Sequence, residues 1–162
     1  MSGSGEASRF TAWSHRRSRR RSREEGSIAA PGYTERDPTW RSDRLNPLEQ
    51  ARRIAGLAQE KLGRDVVILD MRPVCTYTDF FVIATGNNPR QTKAIYDEVR
   101  ERLKHDDGVI PHSVDGTREG NWIVADYIDV VLHVFTPEAR AFYKLEDLWG
   151  DVPSVEVEAA AV

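Results

Sequence analysis

The chain has a single cysteine, Cys75, and no apolar run long enough to cross a membrane. One cysteine excludes a disulfide within the chain and is typical of a protein that works in a reducing compartment. A spanning helix needs about 20 consecutive apolar residues, and the basic cluster near the N-terminus is not followed by the apolar segment of a secretion signal. We therefore predict a cytoplasmic protein that does not contact membranes.

The arrangements that carry catalysis or hold metals are also scarce. The four histidines (His15, His105, His112 and His133) do not have the spacing of a zinc site. No serine or cysteine lies in the strand–turn–helix setting of a nucleophile elbow. The sequence thus predicts no catalytic residue, no metal and no cofactor.

Lysine is absent from residues 1–46, which hold ten arginines and six acidic residues, a balance of +4. Residues 47–162 hold 13 basic and 20 acidic residues, a balance of −7. An excess of carboxylates opposes binding to nucleic-acid phosphates, whereas it complements a basic protein surface. Acidic domains are also common simply because net charge keeps proteins in solution, so both interpretations stay open.

Residues 1–46 are rich in Arg, Ser, Gly and Pro and have few aliphatic side chains to bury, so we predict a disordered tail. Its cationic tract, residues 15–23, could touch RNA phosphates or an acidic surface. It could equally be a solvated tail or a start codon assigned too early. Direct nucleic-acid contact is therefore expected at most through this tail.

Residues 47–150 have the patterns of one α/β domain with a mixed, five-stranded sheet flanked by helices. Asparagine followed by proline predicts helix starts after Asn46 and Asn88, and Thr136-Pro137 predicts a third. Residues 66–69, 80–85, 109–114 and the hairpin 121–135 are predicted as strands. The last helix is expected over residues 137–149, with Phe142, Leu145, Leu148 and Trp149 facing the sheet, and residues 151–162 as a flexible tail.

Several motifs follow one another in a specific order across this domain. They are Leu48-Glu-Gln-Ala51, Asp65-Val-Val-Ile-Leu-Asp70, Thr78-Asp-Phe-Phe-Val-Ile-Ala-Thr-Gly86, Val114-Asp-Gly116, the strand Trp122-Ile-Val124 and the run Phe142-Tyr-Lys-Leu-Glu-Asp-Leu-Trp149. Together they resemble the ribosomal silencing factors, also called the RsfS or Iojap family. The resemblance spans roughly residues 47–150.

The resemblance implies a nucleotidyltransferase-like fold without the catalytic motifs, and a translation repressor that is not an enzyme. The implied partner is the large ribosomal subunit, bound through large-subunit ribosomal protein fourteen, so that the small subunit cannot join. A homodimer of the free chain is also implied. The alternative is a nucleotidyltransferase-like enzyme or nucleotide-binding domain, which requires converging carboxylates and a phosphate-binding turn. Thr85-Gly86-Asn87 is the nearest candidate for such a turn, and it lacks a lysine.

The predicted partner-binding residues are Trp122, Asp79, Asp126, Tyr127 and Asp129. Trp122 could instead be a core residue, and Asp79 could instead cap its loop. The family commonly has Gly-Asp where this chain has Ile128-Asp129. Since isoleucine accepts a positive φ poorly, we expect the hairpin to use a different turn geometry.

Overall fold

The computed structural model of the chain describes residues 45–157. They form, in order, α1 (Pro47–Glu60), β1 (Arg64–Asp70), β2 (Phe80–Thr85), α2 (Pro89–Asp107), β3 (Ser113–Asp115), β4 (Trp122–Asp126), β5 (Val130–Phe135), α3 (Pro137–Tyr143), α4 (Leu145–Leu148) and β6 (Ser154–Val155). The expectation of a disordered tail falls on residues that lie almost wholly outside this range. The predicted α/β class is confirmed.

The strands form one sheet in the order β3-β4-β5-β2-β1-β6. Only β2 and β5 are parallel, and the other neighbours are antiparallel. The sheet is therefore mixed, as predicted, with six strands rather than five. Because β2 and β5 are parallel neighbours, the helices that follow them, α2 and α3, begin at the same end of the sheet.

The three predicted helix starts are confirmed, and each has a side-chain cap. The Asn46 side chain accepts a hydrogen bond from the Glu49 amide, and the Glu49 carboxylate accepts one from the Asn46 amide. The Asn88 side chain accepts a hydrogen bond from the Gln91 amide at the start of α2, and the Thr136 side chain accepts one from the Ala139 amide at the start of α3. Proline follows each cap. Such caps satisfy amides that the first turn leaves unpaired, at about 1 kcal/mol each.

The main core lies between the sheet and the helices α1 and α2. Alternate side chains of β2, β4 and β5 face it, as the period of a strand requires. Its buried strand residues include Phe80, Val82, Ala84, Ile123, Ala125, Val130, Leu132 and Val134. Burial of an aliphatic or aromatic side chain stabilises by roughly 1.5–3 kcal/mol, so this layer fixes the register of the central strands.

The last helix is not continuous, which corrects the sequence-based expectation for residues 137–149. Lys144 has a φ of 46°, and this left-handed residue ends α3 before the four-residue α4 begins. Leu145 is buried directly after the break, whereas Phe142 and Leu148 are 61 % and 66 % exposed. The expected apolar face is therefore wrong for Phe142 and Leu148.

The C-terminal segment departs from the expected flexible tail over its first residues. Ser154 and Val155 pair with Leu69 and Ile68 of β1, and the Asp70 amide donates to the Pro153 carbonyl over 2.8 Å. Val155 and Val157 also pack against the main core. The fold therefore continues past residue 150, because β1 offers an edge that this segment covers.

Candidate functional site

The predicted partner-binding residues lie at two ends of the sheet. Trp122 begins β4 and Asp126 ends it, so their α-carbons are about 13 Å apart at ~3.3 Å per residue. Asp79 and Asp129 lie near Asp126, where the loop before β2 meets the β4–β5 turn. We call the first place the tryptophan end and the second the turn end.

Trp122 is half-buried within a group of aromatic rings at the tryptophan end. Its ring stacks on Phe135 with centroids 5.1 Å apart, and it lies 4.8 Å from the ring of Tyr143. Phe142 meets Tyr143 edge-on at 5.0 Å. We call Trp122, His133, Phe135, Tyr143 and Phe142 the aromatic cluster. Aromatic pairs at such distances stabilise the fold by more than the burial of their apolar area alone would.

His133 holds the orientation of Trp122. The indole Nε1–H of Trp122 donates to Nδ1 of His133 over 3.2 Å, so Nδ1 is the unprotonated nitrogen of that ring. His133 is fully buried and lies against Phe81 with ring centroids 4.7 Å apart. The histidine therefore has the structural, hydrogen-bonded role that its position within a strand indicates.

Sequence reasoning did not single out Tyr143. Apolar spacing along one continuous helix selects residues 142, 145, 148 and 149, and it misses Tyr143 because the helix breaks at Lys144. The available signal was the aromatic pair Phe142-Tyr143, about two turns after the cap at Thr136. Exposed acidic residues follow one another along the same part of the chain, on α3, on α4 and just after it: Glu138, Asp147 and Asp151. This part of the chain is thus both apolar and acidic.

At the turn end, Asp126 and Asp129 build the hairpin turn. Asp126 is only 2 % exposed, and its Oδ1 accepts a hydrogen bond from the Ile128 amide at 2.7 Å. The Asp129 carbonyl accepts from the Asp79 amide at 2.9 Å, from the Phe80 amide and from the Thr78 hydroxyl. These bonds tie the turn to the start of β2.

The turn itself contradicts the expectation of a different geometry. Ile128 adopts a φ of 76°, and the Asp129 amide donates to the Tyr127 carbonyl over 3.0 Å, which makes a three-residue turn. A β-branched residue in this region is strained by roughly 1–3 kcal/mol. The hydrogen bonds of Asp126 and Asp129 on either side hold it there.

Tyr127 belongs to the main core. It is 4 % exposed, and its hydroxyl has no hydrogen-bond partner among residues 45–157. Burial raises the pKa of the Tyr127 phenol, because the charged form is poorly solvated there. A side chain this deep offers little surface for contact with a partner.

The carboxylates of the turn end do not converge on a metal site. In the part of the chain that the structure describes, no group of three or more His, Cys, Asp or Glu side chains could hold a metal ion. Asp70 is paired with Arg72, whose guanidinium holds the pKa of that carboxyl below its usual value. At the tryptophan end, the amides of Gly86 and Asn87 donate to the Phe135 carbonyl and the Gln91 side chain. These two amides are therefore not available to bind a phosphate.

Within residues 45–157, no helix has the length and apolarity needed to cross a bilayer.

The chain resembles known proteins over this same domain. The family model described as "Ribosomal silencing factor during starvation" matches residues 44–162. The RsfS protein of Chromobacterium violaceum is 38 % identical over 112 residues, which is 66 % of this chain and 91 % of that protein. The mouse "Mitochondrial assembly of ribosomal large subunit protein 1" is 29 % identical over 100 residues, 59 % of this chain and 43 % of that protein.

A solved structure agrees with these matches. The crystal structure of a Chromobacterium violaceum protein is similar with a TM-score of 0.63 and 32 % identity, covering 72 % of this chain and 97 % of that one. The family model covers the whole of the described fold, including the aromatic cluster and the β4–β5 turn. The chain belongs to the ribosomal silencing factor (RsfS) family, whose members regulate translation in association with the ribosome.

Proposed function

We propose that this protein binds the large ribosomal subunit through large-subunit ribosomal protein fourteen and sterically prevents the small subunit from joining. The observation that carries the proposal is the aromatic cluster, in which a half-buried Trp122 is fixed by His133 and packs on Tyr143, next to the exposed Phe142. The partner follows from the family resemblance. The mouse relative's name also refers to the large subunit.

The chemistry of the surface supports a basic protein as the partner. Aromatic side chains that bury against a partner dominate the energy of many interfaces. Phe142 and Leu148 are exposed by more than 60 % and would lose this apolar surface to a partner. Acidic side chains around such a patch match a basic partner and speed encounter through long-range attraction.

We further propose that the protein acts without catalysis. Asp126 is nearly buried and its Oδ1 accepts from the Ile128 amide, and among residues 45–157 no group of three or more His, Cys, Asp or Glu side chains could hold a metal ion. A two-metal site needs carboxylates that converge on ions about 3.5–4 Å apart, which supports a binding role over nucleotidyl transfer. The resemblance also implies that the free chain is a homodimer, and the exposed Phe142 with the half-buried Trp122 and Tyr143 offers an apolar surface that such a dimer could cover.

The test compares variants at both ends of the sheet for binding to purified large subunits. Trp122→Ala is expected to lose at least about 2 kcal/mol of binding, upward of roughly thirtyfold in affinity, with a folded domain. Asp79→Asn tests the turn end, and Ile110→Ala removes an exposed apolar side chain that is not part of the aromatic cluster as a control. Sedimentation with large subunits gives the affinity, and the thermal midpoint reports the fold.

Trp122→Phe separates folding from binding if alanine destabilises the domain. Phenylalanine keeps the stacking on Phe135 and Tyr143 but removes the Nε1–H that donates to His133. Normal binding by both Trp122 variants would contradict the proposed contact. Loss of binding in Asp79→Asn alone would move the contact to the turn end.

A further inference from the structure

Three basic residues lie in the first turns of α2 and in the loop that leads into Trp122, although residues 47–162 carry a net charge of −7. Arg90 and Lys93 lie in the first turns of α2, and Arg118 lies in the loop between β3 and β4. Lys93 Nζ donates to the Arg118 carbonyl over 3.1 Å. The same loop touches α2 at Gly120, where an added Cβ would lie 2.9 Å from the Pro89 carbonyl oxygen. We call Arg90, Lys93 and Arg118 the basic cluster.

The charges of this cluster are available to a partner. Arg90 and Arg118 are exposed, and neither forms an ion pair among residues 45–157. Other arginines of the domain are used internally: Arg53 pairs with Asp106 at 2.8 Å and Arg140 with Glu146 at 2.6 Å. Glu119 is the acidic residue adjacent in sequence, so the cluster remains net positive.

The position of the cluster on α2 opposes the stability of that helix. Acidic residues are favourable in a first turn, and basic ones are unfavourable by roughly 0.3–1 kcal/mol. α1 and α3 have Glu49 and Glu138 there, whereas the first turn of α2 has no acidic residue. The Asn88 side chain accepts a hydrogen bond from the Gln91 amide in this turn, and the Arg90 side chain is exposed.

We propose that the basic cluster binds the phosphate backbone of ribosomal RNA next to the protein contact made by the aromatic cluster. The inference rests on the proposed function, because it extends the same docking surface. The loop that carries Arg118 continues directly into Trp122, and its Gly116 packs against the Trp122 backbone. The Trp122 ring packs on Tyr143 of α3, and the loop that leads into Trp122 touches the first turns of α2 at Lys93 and Pro89. A ribosomal surface presents both complements, a basic protein and anionic RNA.

Arginine is well suited to this role because its planar guanidinium donates two hydrogen bonds to a phosphate. Each phosphate contact releases counterions, so the affinity falls with salt at a slope of about 0.7–0.9 per contact on logarithmic axes. An acidic protein partner would also weaken in salt, so salt dependence alone does not identify RNA. The test therefore needs a probe with RNA and a probe without it.

The experiment measures the affinity of the full-length chain for purified large subunits, and for isolated large-subunit ribosomal protein fourteen, over a series of KCl concentrations. The variant is Arg90→Gln with Arg118→Gln. The matched control is Arg52→Gln with Lys104→Gln, which removes the same charge from exposed positions. Lys104 is 11 residues along α2 from Lys93, about 16 Å at 1.5 Å per residue. The arginine-rich residues 1–46 are present in every protein and contribute equally.

The cluster variant is expected to bind large subunits about tenfold or more weakly at low salt, with a salt slope reduced by roughly 1–2. Its affinity for the isolated ribosomal protein is expected to equal that of the control. An unchanged slope on large subunits would overturn the proposal. An equal loss on the isolated protein would also overturn it, since the cluster would then face protein. Failure of the unaltered chain to bind either probe would instead reject the proposed function.

Discussion

Trp122 and Tyr127 are five residues apart, and their side chains lie on opposite faces of the sheet. This follows from the period of two in a strand, which sends odd separations to opposite sides. Trp122 remains half-buried among aromatic rings, whereas Tyr127 lies in the main core. The alternation is visible in the sequence. The sequence does not show which of the two faces packs against α1 and α2, because that depends on how distant elements pack.

At the residue scale, we predict that Tyr127→Phe keeps ribosome binding and stabilises the fold by up to about 1 kcal/mol. The buried hydroxyl has no partner among residues 45–157, and an unsatisfied polar group of this kind is unfavourable. Burial raises the pKa of the phenol, so Tyr127 contributes stability below its unfolded pKa of about 10 that is lost as the pH rises. The variant should therefore resist alkaline unfolding better.

Chemical denaturation at neutral and alkaline pH measures this prediction. Tyr143→Phe is the matched control, because Tyr143 is a half-buried tyrosine outside the main core. A Tyr127 variant less stable than the unaltered chain would mean that the hydroxyl has a partner, such as a bound water, that stabilises the fold. Lost ribosome binding would restore Tyr127 as a contact residue.

At the element scale, the features that depend on neighbouring residues were predictable and those that depend on distant ones were not. The helix starts follow from Asn46, Asn88 and Thr136, since a cap acts within one turn. The break at Lys144 and the strand β6 depend on the packing of α4 and the exposed edge of β1. Ile128 is a third case: its positive φ is held by hydrogen bonds to Asp126 and across the hairpin, so local propensity gave the wrong turn.

We predict that a chain ending at Gly150 is less stable than one ending at Val157 by about 2–3 kcal/mol. The shorter chain loses the pairing of β6 with β1 and the hydrogen bond from the Asp70 amide. It also loses the packing of Val155 and Val157 on the main core, and each partly buried valine contributes on the order of 1 kcal/mol. Urea denaturation of both chains measures the difference. Equal midpoints would return residues 151–157 to a dispensable tail.

At the scale of the whole molecule, charge is distributed in three parts. Residues 1–46 are strongly basic, the domain is acidic overall, and the basic cluster is a local exception beside Trp122. The sequence-based argument that an acidic domain avoids RNA used the net charge alone. Net charge governs long-range attraction, whereas the charges within about 10 Å of a contact govern binding at physiological salt. The two can therefore have opposite signs in one protein.

This distribution leads to a prediction for a chain that begins at Leu45. Its thermal midpoint should match that of the full chain, because Asn46 and Glu49 form the first cap within the retained part and the removed residues have little apolar surface to bury. Its affinity for large subunits should fall mainly at low salt, since the removed segment contains ten arginines that would otherwise contribute cationic contacts. The aromatic contact should persist at high salt. Calorimetry and sedimentation with large subunits measure the two effects separately.

If removal of residues 1–44 unfolds the chain, those residues are part of the domain. If the salt slope is unchanged, they do not touch RNA, and the slope that remains is then the quantity that Arg90→Gln with Arg118→Gln should reduce.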